Sequence, residues 1–572
     1  MKNSNTLFLT AKGTLRVAAG RRIAVLVLAA LTTVAGTAPF RMSAGWAAST
    51  PQGSAVAAAS AKDAVVLTAK GALRGIPSGD IFVFKGIPFA KPPVGALRFA
   101  PPEDVDPWQG ERDATKFGPA SLQLPMTMTQ GFIDEVGLSE DCLTLNIWTP
   151  KLDKGAKLPV YVWIHGGGYT NGAGSMPDFD MTRFAREGVV GVTINYRLGV
   201  MGFFASNTTL EKYGTTGNWG TLDQIKALEW VRDNIEAFGG DPNRVTIGGE
   251  SAGSFSVGAL LLSPPAGGLF QRAIMESGSI LSVKNNTPPN GPVRVEAPYA
   301  ALANVFGAAD NEAGLAKLRA ADAETLASLN ADLSFNFATV GPQWLLMPFF
   351  DDKVLPRNPR DALSKGKFNK ADLLFGYNAD EGASFVPLAD ELAYKGTITR
   401  QLGYENLAGV VSRYPVDAQH PALARTREIL ALSMFSAPMK VFGDAYAKAG
   451  HAVYAYNFRY VESGNPGGLG AYHVTEISFG FGNADGSGVF GSGTPPTSAK
   501  IALMEDMHAR WVNFIKTGDP NHSGGVTWPA YDPASASAIH FGDNARPDDG
   551  EVSVGPLIYR DDIDFINSLP RK

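Results

Sequence analysis

The 572-residue sequence contains a single cysteine, Cys142, which has no second cysteine to pair with, so an internal disulfide bond is excluded. Charged residues make up 18% of the chain, less than the usual quarter or so, whereas the 64 glycines are plentiful. These proportions favour one large buried core with many tight turns. The sequence has no internal repeat of solenoid type, which argues against a repeat architecture.

Acidic residues are absent from the first 48 residues, which contain six basic ones. An apolar run from Ile23 to Ala38 follows, with possible cleavage points after Ala38 and near Ala47. This order predicts an export signal over residues 1–48 and hence a periplasmic or secreted protein. A membrane anchor is the less favoured alternative, because the run of about sixteen residues is shorter than the roughly 20 that a spanning helix needs.

The charge balance depends on this leader. The chain carries a formal net charge of −5 and the leader contributes +6, so the mature chain would carry −11. An acidic protein of this size is a poor candidate for binding nucleic acid or anionic membranes through bulk charge. Residues 49–64 are small, polar and without periodicity, which predicts a flexible lead-in.

Apolar runs that stop at glycines or turns recur along the rest of the chain. These strand-like runs are 158–168, 188–197, 244–253, 272–279 and 371–382. Residues 221–240 instead repeat apolar side chains at helical spacing and end at Gly239-Gly240. The alternation predicts an α/β fold with crossovers and a mainly parallel sheet. Functional loops in such sheets follow the carboxyl ends of the strands.

The segment "TIGGESAGS" contains Gly249-Glu250-Ser251-Ala252-Gly253, a G-x-S-x-G motif. The motif follows an apolar run and precedes "FSVGALLL", a plausible buried helix. In a nucleophile elbow the serine lies on a sharp strand-to-helix turn, where side chains at the two glycine positions would clash. The context therefore predicts that Ser251 is a nucleophile, although a simple Gly/Ser loop would also match the bare motif.

An elbow enzyme needs hydrogen-bond donors for the developing oxyanion. The segment "HGGG" at 165–168 ends an apolar strand and precedes the elbow, as the α/β-hydrolase arrangement requires. We therefore expect the backbone N–H groups of Gly167, Gly168 and Ala252 to form the oxyanion hole. Glycines allow the backbone to approach the substrate closely; a flexible turn is the alternative reading of this segment.

The general base should be a histidine late in the chain, with the acid between it and the serine. Of the seven histidines, His473 lies in a small-residue loop that leads into an apolar stretch, which favours it modestly. The segment "LLFGYNADEGASF" offers Asp380 and Glu381 as the acid at the end of a strand, and the motif alone does not choose between them.

Longer segments carry a family resemblance. The most specific are "FKGIPFAKPPVGALRFAPPE", "SEDCLTLNIWTP" and "FGGDPNRVTIGGESAG". With them the chain resembles the type-B carboxylesterases, the α/β-hydrolase group that includes the cholinesterases and bacterial para-nitrobenzyl esterases. The resemblance covers about residues 65–570 and implies one catalytic domain, whose large, mostly parallel sheet is flanked by helices, with extra helical insertions around an active-site gorge.

The resemblance also implies site residues and a reaction. It makes Ser251 the nucleophile, His473 the base and Glu381 the acid, with Asp380 as the alternative acid. Glu250 and Ser277 correspond to positions that support these residues in the active site. The implied reaction is carboxylic-ester hydrolysis through an acyl-enzyme, with no metal and no organic cofactor.

The sequence departs from the cholinesterases near the signature cysteine. Cholinesterases bind a quaternary ammonium on a tryptophan there, by cation–π attraction. Residues 121–141 contain no tryptophan and are rich in Met and Leu, with Phe132 roughly where that aromatic would fall. Uncharged esters are therefore the expected substrates. In the family the cysteine often has a disulfide partner, and Ser121 stands at the matching position, so we expect Cys142 to be a small buried side chain.

Two other functions remain open at the level of sequence. The same triad chemistry would serve an acyl hydrolase of amides, carbamates or lactones. The fold also occurs in catalytically silent adhesion domains, but those have lost the serine, whereas this sequence keeps the complete set.

Overall fold

The structure is a computed structural model. It describes residues 64–124, 130–283, 299, 302, 304–330, 346–463, 468–483 and 496–571. These residues all belong to one compact unit, Ala55–Lys572. The predicted export signal (1–48) and all but the last residue of the predicted lead-in (49–64) lie outside the described residues. The predicted domain bounds, including 65–570, therefore stay predictions.

A large mixed sheet forms the centre of the described fold. The strands are β1 Val65–Leu67, β2 Ala72–Arg74, β3 Ile76–Ser78, β4 Ile81–Pro88, β5 Glu111–Asp113, β6 Ala120–Ser121, β7 Leu138–Ser139, β8 Thr144–Thr149, β9 Leu158–Ile164, β10 Val190–Ile194, β11 Gly240–Glu250, β12 Arg272–Glu276, β13 Asp372–Asn378, β14 Val453–Phe458, β15 Ser537–Phe541 and β16 Val552–Pro556. Eleven of them form one sheet in the order β16-β15-β14-β13-β12-β11-β9-β10-β8-β4-β3. All neighbours from β10 to β15 in that order are parallel, and the strands outside them pair antiparallel.

This sheet confirms the predicted fold class. Each of the five predicted strand-like runs overlaps a strand, namely β9 to β13, although β11 begins four residues before its run. All five strands are parallel to their neighbours within this group. The predicted helix at 221–240 is shorter than expected. It runs over Trp219–Asn234 and tightens into a 3₁₀ turn, Ile235–Phe238, before Gly239 takes a φ of 81°. The glycine ends the helix, as its sequence position predicts.

Helices connect the strands and cover both faces of the sheet. The described α-helices are Gln130–Val136, Thr182–Arg186, Gly199–Phe203, Asn207–Tyr213, Trp219–Asn234, Ala252–Leu262, Glu312–Ala320, Ala323–Ser328, Pro359–Ser364, Glu391–Leu402, Leu407–Arg413, Ala422–Leu430, Ala437–Lys448, Ile477–Phe481, Ser498–Thr517 and Arg560–Ser568. The segment Ala431–Ser436 is a π-helix. It joins two α-helices that are inserted, with others, between β13 and β14.

Alternate side chains of β9 show that the core lies on both faces of the sheet. Val162 packs in the same hydrophobic cluster as the helix Ala252–Leu262, whereas Trp163 packs in the cluster that contains the helix Ser498–Thr517. Successive strand residues point to opposite faces, so both faces of β9 are buried. A strand buried on both faces needs a continuous apolar sequence, and "LPVYVWI" provides it.

The order of the strands determines where a site can form. The chain runs from β9 outward to β10 and then crosses to β11 on the other side of β9. This reversal is a topological switch point, at which the loops after two neighbouring parallel strands separate and leave a crevice. The loop after β9 contains the predicted oxyanion glycines, and the loop after β11 contains Ser251.

Cys142 lies just before β8 and is completely buried. Burial raises the pKa of its thiol to about 12, and the side chain of Ser121 hydrogen-bonds to it. The position that would hold a disulfide partner thus still contacts the cysteine. Ser121 belongs to β6, which pairs with β7, so backbone hydrogen bonds join the two ends of the intervening loop. Among the described residues, no helix has both the length and the apolar character needed to cross a membrane.

We predict that Cys142 does not react with a disulfide reagent in the native protein. Its thiol is buried and its pKa of about 12 leaves almost no thiolate at neutral pH. Thiol titration should detect no thiol in native buffer and one thiol per chain after denaturation in urea. Rapid titration in native buffer would contradict this burial.

Candidate active site

Ser251 lies on a strained turn between β11 and the helix Ala252–Leu262. Its φ of 56° and ψ of −123° are unusual for a residue with a side chain. A Cβ atom on Gly249 would lie 2.6 Å from the carbonyl oxygen of Ile164, and one on Gly253 would lie 2.0 Å from the same oxygen. Both glycines are therefore sterically required, which is the geometry expected of a nucleophile elbow.

The three glycines after β9 pass directly beside this elbow. We call Gly166–Gly168 the glycine strip. A Cβ on Gly166 would lie 3.2 Å from the Cβ of Ser251, and Gly167 and Gly168 take φ values of 102° and 63°. Among the described residues, the N–H groups of Gly167, Gly168 and Ala252 donate no hydrogen bond. They are available to bind an oxyanion next to Ser251.

His165, the first residue of the "HGGG" motif, is buried. Its ring stacks on Tyr196 at 4.5 Å between centroids, and the Tyr196 hydroxyl donates a 2.9 Å hydrogen bond to the His165 carbonyl oxygen. Burial lowers the pKa of His165 to about 4, so the ring is neutral near pH 7. It supports the start of the glycine strip by packing.

The histidine expected to be the base lies against the expected acid. The Nδ1–H of His473 donates a 2.6 Å hydrogen bond to Glu381 Oε2, and both side chains are buried. The other oxygen, Glu381 Oε1, accepts a 2.9 Å bond from the backbone N–H of Asn378. Asp380 instead accepts a 2.9 Å bond from the backbone N–H of Ala471. Of the two candidate acids, Glu381 is the one that bonds the imidazole. Asp380 instead bonds the backbone of the loop that contains His473.

The second ring nitrogen of His473 faces the elbow. Nε2 lies 3.1 Å from Oε1 of Glu250, the residue before Ser251. The two atoms form no hydrogen bond with each other, and neither bonds another described residue. Nε2 is therefore free to accept a proton. Catalytic hydrogen bonds are often long or misaligned without substrate, so the absence of a formed Ser251–His473 bond is compatible with this role.

Two aromatic rings, stacked on each other, pack against the imidazole. The ring centroids of Phe385 and Phe435 each lie 4.9 Å from that of His473, and the two phenyl rings are nearly parallel to each other. Phe435 lies in the π-helix Ala431–Ser436, which sequence periodicity did not predict. Aromatic faces attract cations, so this packing favours the imidazolium that forms when His473 takes a proton.

Ser277, expected to support the site, binds a glutamate for which the sequence motifs predicted no role. Its hydroxyl donates to Glu476 Oε1, and the side-chain amide of Asn378 donates to Glu476 Oε2 at 2.5 Å. Asn378 thus contacts both Glu476 and Glu381 through different N–H groups. The signal for Glu476 was present in the "HVTE" segment, three residues after His473.

Glu276 was also missed. It ends β12 beside Glu250 on β11, and it accepts a 3.0 Å hydrogen bond from the indole of Trp511, which is 235 residues away in sequence. Burial and repulsion between neighbouring carboxylates raise the pKa of Glu250 well above its usual range, that of Glu276 to about 8 and that of Glu476 to about 7. At pH 7 the Glu250 and Glu276 side chains therefore favour the neutral carboxyl form. Glu476, whose two oxygens both accept hydrogen bonds, has no strong preference between its two forms.

A nucleophile elbow at the switch point of a mostly parallel sheet, with free backbone donors on one side and a carboxylate-bound histidine on the other, defines a serine hydrolase of the α/β-hydrolase class. The comparisons with known proteins are more specific. Residues 62–553 match the model of the carboxylesterase family, so the chain belongs to that family and is a carboxylic-ester hydrolase.

The relatives agree with this placement. The fumonisin B1 esterase of Sphingopyxis macrogoltabida is 36% identical over 86% of this chain and 88% of its own length. The para-nitrobenzyl esterase of Bacillus subtilis is 36% identical over 82% of this chain and 92% of its own. The crystal structure of a Geobacillus stearothermophilus carboxylesterase is 35% identical and superposes with a TM-score of 0.73, covering 87% of this chain and 99% of that one.

We predict that Glu381→Gln lowers kcat by about 10⁴-fold, as amide substitution of a triad acid does elsewhere, because the amide can hold the wrong histidine tautomer. Asp380→Asn should cost less than about tenfold, because its amide oxygen still accepts the Ala471 bond. Steady-state kinetics on both variants would measure the order. A larger loss for Asp380→Asn would assign the acid role to Asp380.

We also predict that ionisation of Glu276 destabilises the folded protein. Its pKa is about 8 in the folded state and about 4.5 when exposed, so the folded state retains a proton that the unfolded state releases. The stability present below pH 4.5 should be lost as the pH rises through 8. Glu276→Gln keeps an oxygen for Trp511 but cannot ionise, so its Tm relative to wild type should rise between pH 5 and pH 8.5.

Exposed Glu211→Gln is the control for this pH series, because its side chain lies on the surface. Its melting curve should follow wild type at every pH. A constant Tm difference between Glu276→Gln and wild type from pH 5 to pH 8.5 would show that Glu276 already ionises normally in the folded state.

Proposed function

We propose that Ser251, His473 and Glu381 form the catalytic triad of this esterase. The observation that carries the proposal is the position of His473, with Nδ1 bonded to Glu381 and Nε2 unbonded, 3.1 Å from the residue before Ser251. The Glu381 carboxylate fixes the Nδ1–H tautomer, so Nε2 has the lone pair that a general base needs.

Acylation follows from this arrangement. Ser251 Oγ attacks the ester carbonyl carbon as its proton passes to Nε2 of His473, and the carbonyl oxygen becomes an oxyanion. The N–H groups of Gly167, Gly168 and Ala252 then bind that oxyanion. When the tetrahedral intermediate collapses, the C–O bond to the alcohol breaks, and the imidazolium returns the proton to the departing alcohol.

Deacylation uses the same groups with water in place of the serine. His473 takes a proton from water, the hydroxide attacks the acyl carbon, and the oxyanion again binds the same three N–H groups. Collapse releases the carboxylic acid and returns the proton to Ser251 Oγ. The serine supplies the covalent step and the histidine moves each proton, so the sequence of steps is complete without a cofactor.

We further propose uncharged esters as the substrate class. Residues 121–141 contain no tryptophan, and Phe132 is buried in a core cluster with only 8% of its surface exposed. The raised pKa values of Glu250, Glu276 and Glu476 also reduce the negative charge that would attract a cationic alcohol. Amides, carbamates and lactones are the alternative substrates, since they undergo the same acyl transfer.

A catalytically silent binding domain is the competing function from another class. The elbow glycines, the free donors and the carboxylate-bound histidine would have no use in such a domain, and together they favour an enzyme. The leader composition supports export as the location of the mature enzyme. Mass spectrometry of its N-terminus after secretion from the native host would test this; retention of the intact leader would contradict it.

We predict that Ser251→Ala lowers kcat by about 10⁴–10⁶-fold, because the nucleophile is lost while the oxyanion donors remain. Purified wild type and variant should be compared on esters, amides and carbamates of graded acyl and alcohol size. Retention of a tenth of the wild-type rate would remove Ser251 from the mechanism. A wild-type preference for amides or for choline esters would overturn the proposed substrate class.

A further inference from the structure

We infer that Gln123 is a positioning residue for the oxyanion hole. The inference rests on the proposed roles of Gly167 and Gly168 in the section above. Gln123 lies outside both the triad and the glycine strip, in the segment that follows β6, and only 3% of its surface is exposed. Nothing in the sequence motifs distinguishes it.

The side-chain amide of Gln123 bonds both the N–H and the carbonyl oxygen of Gly172. Its Oε1 accepts a 2.8 Å hydrogen bond from the Gly172 N–H, and its Nε2 donates a 2.9 Å bond to the Gly172 carbonyl oxygen. The same Nε2 donates a 3.0 Å bond to the carbonyl oxygen of Ser121. Because the N–H and the carbonyl oxygen of Gly172 belong to successive peptide groups, the amide fixes the orientation of both peptides as well as their distance from Gln123.

Gly172 in turn packs directly against the start of the glycine strip. It takes a φ of 103°, and a Cβ there would lie 2.6 Å from His165 Nδ1 and 2.8 Å from the Gly166 carbonyl oxygen. The two ends of the loop 165–172 are therefore in direct contact. A shift of Gly172 cannot occur without moving the backbone of the strip or opening a gap beside it.

The interior of this loop is equally tight. The carbonyl oxygen of Gly167 accepts hydrogen bonds from the N–H groups of Thr170 at 3.1 Å and Asn171 at 3.0 Å. A Cβ on Gly167 would lie 2.2 Å from the Asn171 carbonyl oxygen. The peptide that carries the Gly168 N–H is thus held through its oxygen, and Gln123 holds the far end of the same loop at Gly172.

The segment that carries Gln123 is itself well anchored. The Ser121 hydroxyl accepts a 3.2 Å hydrogen bond from the Leu198 N–H, and its side chain also bonds to the Cys142 thiol. The side chain of Asn195 links the segment before Gln123 to the segment after Gly172. It donates to the Pro119 carbonyl oxygen at 3.1 Å and accepts from the Gly174 N–H at 2.8 Å. Gln123 is therefore a fixed reference for Gly172.

Gln123→Met tests this role, because methionine has a similar length but bonds neither polar group of Gly172. We expect kcat and kcat/KM for a para-nitrophenyl ester to fall together by about 10- to 100-fold, with KM nearly unchanged, as misplaced oxyanion donors affect the transition state alone. Melting temperature is measured in parallel.

A trifluoromethyl ketone of the same acyl length provides a readout that stability does not affect. Ser251 Oγ adds to its carbonyl carbon, the serine proton passes to His473, and the hemiketal oxyanion occupies the hole. The Ki of the ketone should rise in proportion to the loss of kcat/KM, while the Ki of the product alcohol, a ground-state ligand, should not change.

Gln271→Met is the matched control. Gln271 Oε1 accepts a 2.8 Å hydrogen bond from the Val245 N–H. Gln271 directly precedes β12, at the end of that strand opposite to Glu276. This variant also loses a side-chain bond to the backbone, so it should lower Tm without changing the ketone Ki.

If Gln123→Met does not fold, Gln123→Glu replaces it as the test variant. The glutamate keeps an acceptor for the Gly172 N–H and loses the donor, so a smaller rise in the ketone Ki is then expected.

Unchanged kinetics and an unchanged ketone Ki in a folded Gln123 variant would overturn the positioning role and leave the triad assignment intact. Equal rises in the ketone Ki for the Gln123 and Gln271 variants would also overturn it, since the effect would then be general destabilisation. A wild-type enzyme that hydrolyses esters but does not bind the ketone would instead overturn the proposed oxyanion hole, and this inference with it.

Discussion

The close approach of the elbow to the end of β9 is the constraint on which the rest of the site depends. A Cβ on Gly253 would lie 2.0 Å from the Ile164 carbonyl oxygen, so the turn at Ser251 can form only where that strand ends. The contact requires β9 and β11 to be neighbours, which the crossover from β10 provides. It also places the glycine strip beside the serine, because the strip is the direct continuation of β9. One backbone contact thus positions both Ser251 and the glycine strip.

The second property of the site is that its carboxyl groups are buried together. Taking a carboxylate from water into the interior is costly, and each further negative charge nearby increases the cost. Glu250, Glu276 and Glu476 respond with raised pKa values, whereas Glu381 is bonded to the imidazole and to a backbone N–H. The glutamates around the Glu381–His473 pair therefore carry less negative charge than the same number of fully ionised carboxylates would.

Much of this could be predicted from the sequence because the signals are local. The apolar runs that stop at glycines or turns predicted five parallel strands, and the G-x-S-x-G context predicted the elbow. Residues whose partners are distant in sequence were missed. Trp511 and Glu276 are 235 positions apart, and only the packing of the helix Ser498–Thr517 against the sheet brings them together. Phe435 was missed for another reason: it lies in a π-helix, whose periodicity differs from the 3.6 residues per turn on which helix patterns rest.

The lone cysteine illustrates how a local substitution changes what holds the site. The resemblance made Ser121 the position of an absent disulfide partner, and the structure places its side chain on the Cys142 thiol. Noncovalent contacts restrain this segment in place of a disulfide bond: β6 pairs with β7, and the Ser121 hydroxyl accepts a hydrogen bond from the Leu198 N–H. A disulfide restrains a loop only at its two ends. The hydrogen bonds here continue past that point along the chain, because Gln123, two residues after Ser121, bonds both polar groups of Gly172 at the end of the loop 165–172.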